Sequence, residues 1–80
     1  MQMPLTSGQL RAARGFVGWS ARELAGAAKL GLSTVQRVES GGSITAANMD
    51  ALQRALETAG VEFIPENGGG VGVRLRKQDQ

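Results

Sequence analysis

Helix start signals and glycines divide residues 5–60 into short segments, and this division constrains the fold more than any other feature. Thr6 with Gln9, and Ser20 with Glu23, have the capping-box spacing, in which two side chains satisfy free N–H groups at a helix start. Glycines that can end a helix or open a turn follow these signals, at Gly18, Gly31, Gly41, Gly42 and Gly60. The chain is therefore expected to form several short helices.

Apolar residues within these segments recur three and four positions apart, as on one face of a helix. We predict a first helix after Thr6, a second from about Ala21 to Lys29, a third from Leu32 to Ser40 and a fourth opened by Thr45. The predicted inward residues are Leu10, Ala13, Phe16, Val17, Leu24, Ala25, Ala28, Val35, Val38, Met49, Leu52, Ala55, Leu56 and Ala59. Trp19 and Phe16 are interpreted as core or staple residues rather than base-stacking platforms.

After Gly60 the pattern changes to short β-prone runs, 61–64 and 71–76, separated by a segment rich in glycine. This arrangement is typical of a β-hairpin. In the second run Val71, Val73 and Leu75 alternate with residues that are basic or glycine. The predicted fold is mainly α, with four to five helices (residues 5–60), a C-terminal hairpin (61–76) and a tail (77–80).

Composition limits the chemistry available to the chain. Its 80 residues include no Cys and no His, which removes thiolate and imidazole metal ligands and the usual nucleophile and base pairs. Gly68–Gly70 lacks the Gly-Lys-Ser/Thr ending of a phosphate-binding loop. We therefore expect no enzyme activity, no cofactor and no metal. Without a leader pattern or a long apolar run, the expected location is the cytoplasm.

The segment from Ser20 to Ser40 has the layout of a helix-turn-helix unit: a capped helix, a short turn with glycine and a second short helix. Residues 20–25, 32–39, Gly41 and 52–56 resemble, in order, spacing and type, the lambda-repressor-like regulators of the Xre or Cro/C1 type. The resemblance covers roughly residues 5–59. It implies a helical bundle that binds double-stranded DNA, usually as a homodimer on a palindromic operator, with the third helix in the major groove.

Carried over position by position, the resemblance implies base-facing roles for five residues, namely Leu32, Ser33, Thr34, Gln36 and Arg37. Arginine can pair with guanine and glutamine with adenine through two hydrogen bonds, and apolar groups can contact the thymine methyl. The alternative for Arg37 is an ordinary solvated charge. Glu39 is expected to be structural.

The phosphate contacts are less directly implied. Many relatives have Gln at the start of the second helix, where this chain has Ala21, so Arg22 or the helix N-terminus would have to bind the phosphate instead. At the position before the third helix, relatives often have Ser or Thr, whereas this chain has Gly31. Glycine caps a helix less well than serine. Further phosphate candidates are Arg14, Lys29, Ser40 and Ser43, although Arg14 and Lys29 could equally be ordinary surface charges.

The hairpin has three alternative roles. It could cover the open end of the core, or its outer strand could pair with the same strand of a second copy through Val71, Val73 and Leu75. Alternatively, Arg74, Arg76 and Lys77 could follow the DNA backbone. The dimer role is favoured, because dimerisation adds stability and doubles the DNA contact.

The predicted function is therefore transcriptional regulation, with repression by operator occupancy as the simplest mechanism. The alternative is an antitoxin-type protein, which neutralises a partner toxin through the hairpin and binds DNA only to regulate its own operon. Such a function would require a partner protein. The net charge of +2 agrees with a polyanionic partner without proving one.

Overall fold

The computed structural model describes residues 5–64, 68–70 and 72–75. Within them four helices precede an antiparallel hairpin: α1 (Ser7–Val17), α2 (Ala21–Ala28), α3 (Leu32–Glu39), α4 (Ala46–Thr58), β1 (Val61–Ile64) and β2 (Gly72–Leu75). The mainly helical fold with a C-terminal hairpin is confirmed. The predicted turn residues 65–67, Val71, Arg76 and the tail 77–80 lie outside the described residues.

The capping signals act as the sequence predicts. The Thr6 and Ser20 side chains each accept a hydrogen bond from the backbone N–H three residues on. In return, the side-chain oxygens of Gln9 and Glu23 accept from the backbone N–H groups of Thr6 and Ser20. Thr45 caps α4 by accepting from the backbone N–H of Asn48. These bonds satisfy N–H groups that have no partner inside the helix. The helix starts are therefore encoded locally.

The core lies where the four helices and the hairpin meet. Most of the predicted inward residues are buried or pack against it, and its fully buried large side chains are Leu10, Leu24, Val35, Leu52, Leu56 and Val61. The prediction for Phe16 is wrong, since it is 49% exposed. Phe16 lies three residues beyond the buried Ala13, but it is in the last turn of α1 and is not among the side chains that pack against the core. Trp19 does pack against the core.

The hairpin packs on the helices as a lid over one end of the core. Val61 pairs with Leu75 and Phe63 with Val73, so these four side chains share the face that meets α1 and α4. Val61 is fully buried, and Phe63 and Val73 are half-buried against the core. Leu75, at the end of β2, remains 54% exposed. The hairpin thus packs on the core through Val61, Phe63 and Val73.

Candidate nucleic-acid interface

α3 presents one apolar face to the core and one polar face to solvent. Val35 and Val38 are buried, whereas Ser33, Gln36 and Arg37 are exposed. Because these three exposed residues are spaced by three and four positions, they lie on one side of the helix. Leu32 and Thr34 are half-buried at its first turn. Of the five base-facing candidates, three are thus exposed and two are half-buried.

α2 packs against α3, and its buried side chains include two alanines. Ala25 and Ala28 of α2 are buried in the same core cluster as Val35 and Val38 of α3, and the two helices are in contact. A methyl side chain allows two helices to approach closely. These small residues of α2 are therefore compatible with close packing of α3 on it.

The turn between α2 and α3 differs from its prediction in one respect. Gly31 was expected to supply the tight turn, but its φ is −75°, and the left-handed residue is Lys29, with φ of 60°. The Lys29 N–H bonds the Gly26 carbonyl and the Leu30 N–H bonds the Ala25 carbonyl, which are the two bonds of a Schellman turn. The left-handed turn therefore lies at the C-terminal end of α2. Gly31 is the N-cap residue of α3 and makes no side-chain hydrogen bond.

Two arginines of α1 hold the C-terminal end of α3. Arg14 donates from Nε and Nη2 to the two carboxylate oxygens of Glu39, at 2.8 and 3.0 Å, and from Nη1 to the Trp19 carbonyl. Arg11 donates from Nη1 to the backbone carbonyl of Glu39 at 2.6 Å. The expected structural role of Glu39 agrees with its side chain being only 10% exposed.

The Arg14–Glu39 pair is well matched electrostatically. The hydrogen bond to Glu39 raises the pKa of Arg14 above its ordinary value, against the smaller opposing effect of burial. Two parallel N–H···O bonds also fix the relative orientation of the guanidinium and the carboxylate. The pair thus fixes the position of α3 relative to α1.

The phosphate candidates occupy different surroundings. Arg22 and Lys29, at the two ends of α2, and Ser40 and Ser43, after α3, are all exposed. Among the described residues, the side chains of Arg22, Lys29 and Arg37 have no ion-pair partner. Arg14 differs, because its guanidinium nitrogens already donate within the chain. Its phosphate contact stays an untested prediction and is not part of the interface proposed below.

Sequence reasoning missed two contacts that attach α1 to other elements, one to α3 and one to the hairpin. No local motif in the sequence links Arg11 to Glu39, which lies 28 positions away. Gln9 was identified as a capping residue, but its Nε2 also donates to the carbonyls of Ile64 and Gly72, at 3.3 and 3.0 Å. A capping box signals only the bonds made within one turn of the helix. Both contacts become visible only in the folded chain.

In the described part of the chain, no group of three or more acidic side chains is placed so that it could hold a metal ion. None of the described helices combines the length and apolar character needed to cross a membrane. The exposed face of α3 and the exposed cations Arg22, Lys29 and Arg37 are suited to contact with a polyanion that presents hydrogen-bonding groups.

The chain was compared with known proteins. A family model described as "Helix-turn-helix" matches residues 10–63, which is more than half of the chain. The match includes α2, α3, α4 and most of α1, and it extends into β1. No curated protein matches the chain.

Proposed function

Because the chain belongs to the helix-turn-helix family of DNA-binding transcriptional regulators, of the Xre and lambda-repressor type, we propose that it represses transcription as a homodimer on a palindromic operator. One observation supports the placing of the DNA: the exposed face of α3 carries Ser33, Gln36 and Arg37, while its opposite face is buried. α3 is the helix that enters the major groove in this proposal.

Base contacts are assigned to the exposed face and first turn of α3. Arg37 is proposed to pair with a guanine and Gln36 with an adenine, because their side chains offer the matching pairs of hydrogen-bonding groups. Ser33 and Thr34 are proposed to bond base edges or phosphates. Leu32 is proposed to lie against a thymine methyl, since it is only half-buried by the protein.

Phosphate contacts are assigned to residues that flank α3. Arg22 and Lys29 are exposed and have no ion-pair partner among the described residues, so binding DNA breaks no existing ion pair. Ser40 and Ser43 follow α3 in an exposed loop where hydroxyl and backbone N–H groups can bond phosphate oxygens. Contacts of this kind supply affinity and orientation without sequence information.

The dimer is proposed to form through β2, with Val73, Leu75 and Val71 as its apolar residues. Among the described residues β2 pairs on one side only, with β1, and Leu75 is 54% exposed. An edge strand with an exposed apolar side chain is suited to pair with a second copy. Sedimentation equilibrium of the wild type and Leu75→Lys tests this assignment: a dimer that dissociates in the variant supports it, and a monomeric wild type contradicts it.

The DNA-binding role is tested by selecting duplexes from a random-sequence pool with the purified protein. We expect a two-fold symmetric consensus, bound with an affinity that falls steeply with salt. Arg37→Ala should reduce discrimination at one base pair per half-site by about 1–3 kcal/mol, whereas Lys29→Ala should weaken binding to all sequences and lower the salt slope by about one.

Arg54→Ala is the matched control, because Arg54 is an exposed arginine on α4 that pairs with Asp50. Its affinity for the selected duplex should equal that of the wild type. Equal, weak binding to every duplex would overturn the proposed base contacts. Repression is tested separately with a promoter that contains the selected sequence, and activation of that promoter would contradict it.

A further inference from the structure

α3 ends in a turn whose backbone bonds run back into the helix. The N–H of Gly41 donates to the Val38 carbonyl at 3.0 Å, and the N–H of Gly42 donates to the Arg37 carbonyl at 2.8 Å. Gly41 is left-handed, with φ of 94°. These features define a Schellman turn, in which the residue after the left-handed one commonly packs an apolar side chain against the helix. In this chain that residue is Gly42.

The space beside Gly42 is occupied by the side chain of Arg37. A Cβ added to Gly42 would lie 2.6 Å from Cγ of Arg37, 3.4 Å from its Cδ and 2.9 Å from its carbonyl oxygen. Gly42 does not have a left-handed φ, so its backbone conformation is open to other residues. Close approach is therefore what requires glycine at this position: the methylenes of Arg37 rest on the turn where a side chain would otherwise pack.

This contact restricts a long side chain that is otherwise free. Arg37 is exposed, and among the described residues it has neither an ion-pair partner nor a side-chain hydrogen bond. An arginine of this kind loses much rotamer freedom when it binds, and restriction of its stem in the free protein lowers that loss. The turn therefore holds the first carbons of Arg37 in place before DNA arrives.

We infer that Gly42 is a positioning residue for Arg37 and so helps to determine which base pair the protein recognises. The inference rests on the proposed contact between Arg37 and the bases. A side chain at position 42 would push the Arg37 stem off the turn and change the direction from which the guanidinium reaches the groove. The loss of discrimination would be at the base pair that Arg37 contacts, whereas the close approach to the Arg37 carbonyl oxygen would affect the stability of the turn.

The test is a double-mutant cycle on a duplex selected by the wild-type protein. Gly42→Ala should lower affinity for this duplex by about three- to tenfold, with the loss of discrimination at the base pair that Arg37→Ala also affects. Arg37→Met keeps a Cγ and a stem but has no guanidinium. In the Arg37→Met background, Gly42→Ala should have no further effect on affinity, whereas its effect on the melting temperature should be the same in both backgrounds.

Gly15→Ala is the control, because Gly15 is in α1 and a Cβ there would meet nothing within 4 Å. It should leave affinity unchanged. Equal loss of affinity on Gly42→Ala in both backgrounds would show that the substitution acts through the loop alone, and no loss in the wild-type background would show that Gly42 does not position Arg37. Either result overturns the inference.

A measurement without DNA separates this inference from the proposed function. The ¹⁵N relaxation of Arg37 Nε should report greater mobility in Gly42→Ala than in the wild type, and Gly15→Ala should not change it. Unchanged mobility overturns the positioning role even if Arg37 contacts DNA. Conversely, Arg37→Met that retains full discrimination overturns the proposed base contact, whatever the relaxation shows.

Discussion

α1 is attached to α3 by charged side chains and to the hairpin by a neutral one. Toward α3, Arg14 and Arg11 donate charged hydrogen bonds to the carboxylate and the backbone carbonyl of Glu39. Toward the hairpin, the neutral amide of Gln9 donates to two backbone carbonyls, those of Ile64 and Gly72. One helix thus positions both the candidate DNA-binding surface and the lid of the core.

The two attachments should differ in how much stability is lost when a side chain is substituted. Glu39 is nearly buried, so removing either partner of its ion pair leaves a charge that water cannot fully solvate. Gln9 is also buried, but loss of a neutral donor leaves only neutral carbonyls unsatisfied. We therefore expect the α1–α3 attachment to be the more sensitive one.

The largest effect is expected for Glu39→Ala. The substitution leaves the partly buried Arg14 without its carboxylate and should lower the free energy of unfolding by about 2–3 kcal/mol, measured by urea denaturation. Asp50→Ala is the matched control, since it breaks the exposed Asp50–Arg54 pair and should cost only about 0.3–0.5 kcal/mol. Equal losses in the two variants would contradict the asymmetry described above.

A smaller effect is expected for Gln9→Met. The substitution is neutral and similar in size, and it removes the acceptor for the N–H of Thr6 together with the donor to the carbonyls of Ile64 and Gly72. The free energy of unfolding should fall by about 1–2 kcal/mol. Amide hydrogen exchange in β1 and β2 should accelerate more than exchange in α3, and uniform acceleration would mean that Gln9 does not specifically hold the hairpin.

Arg11→Ala should have a still smaller effect. Arg11 is exposed, and it makes one charged hydrogen bond to a carbonyl at the C-terminal end of α3. Its loss should cost about 0.5–1 kcal/mol at low salt and less at 1 M salt, because exposed charges are screened. A loss as large as that of Glu39→Ala would show that Arg11 and Arg14 act as one unit.

The smallest effect is expected for Arg74→Ala, on the outer face of the hairpin. Glu62 raises the pKa of Arg74 through a hydrogen bond, but both side chains are well exposed. Such pairs add little stability, so the melting temperature should stay within experimental error. A clear decrease would show that the hairpin depends on charge as α3 does, and the comparison would fail.

Local signals in the sequence predicted most of the fold. The helix starts at Thr6, Ser20 and Thr45 depend on bonds to residues three positions on, and these patterns are visible in any linear sequence. The burial of Val35 and Val38 likewise follows from helical spacing. The prediction that Phe16 faces inward was wrong. Helical spacing at the end of a helix does not determine whether another element packs over that residue.

The candidate site was predicted less completely. The exposed face of α3 follows from the buried one, since the helix has only one apolar side. Gly31 was predicted to open the turn between α2 and α3, but the left-handed residue there is Lys29, a residue type that rarely adopts this conformation. The approach of Arg37 to Gly42 has no signature in the sequence, because glycine pairs at helix ends are common.

By itself the sequence determined where the helices start, which faces are apolar and which family the chain resembles, because each of these depends on residues within a few positions of one another. Only the tertiary structure decided that Arg14 binds Glu39, that Gln9 holds the hairpin and that Arg37 rests on Gly42. These contacts depend on the path of the chain through space. A polar side chain selected for such a contact looks in the sequence like any surface residue.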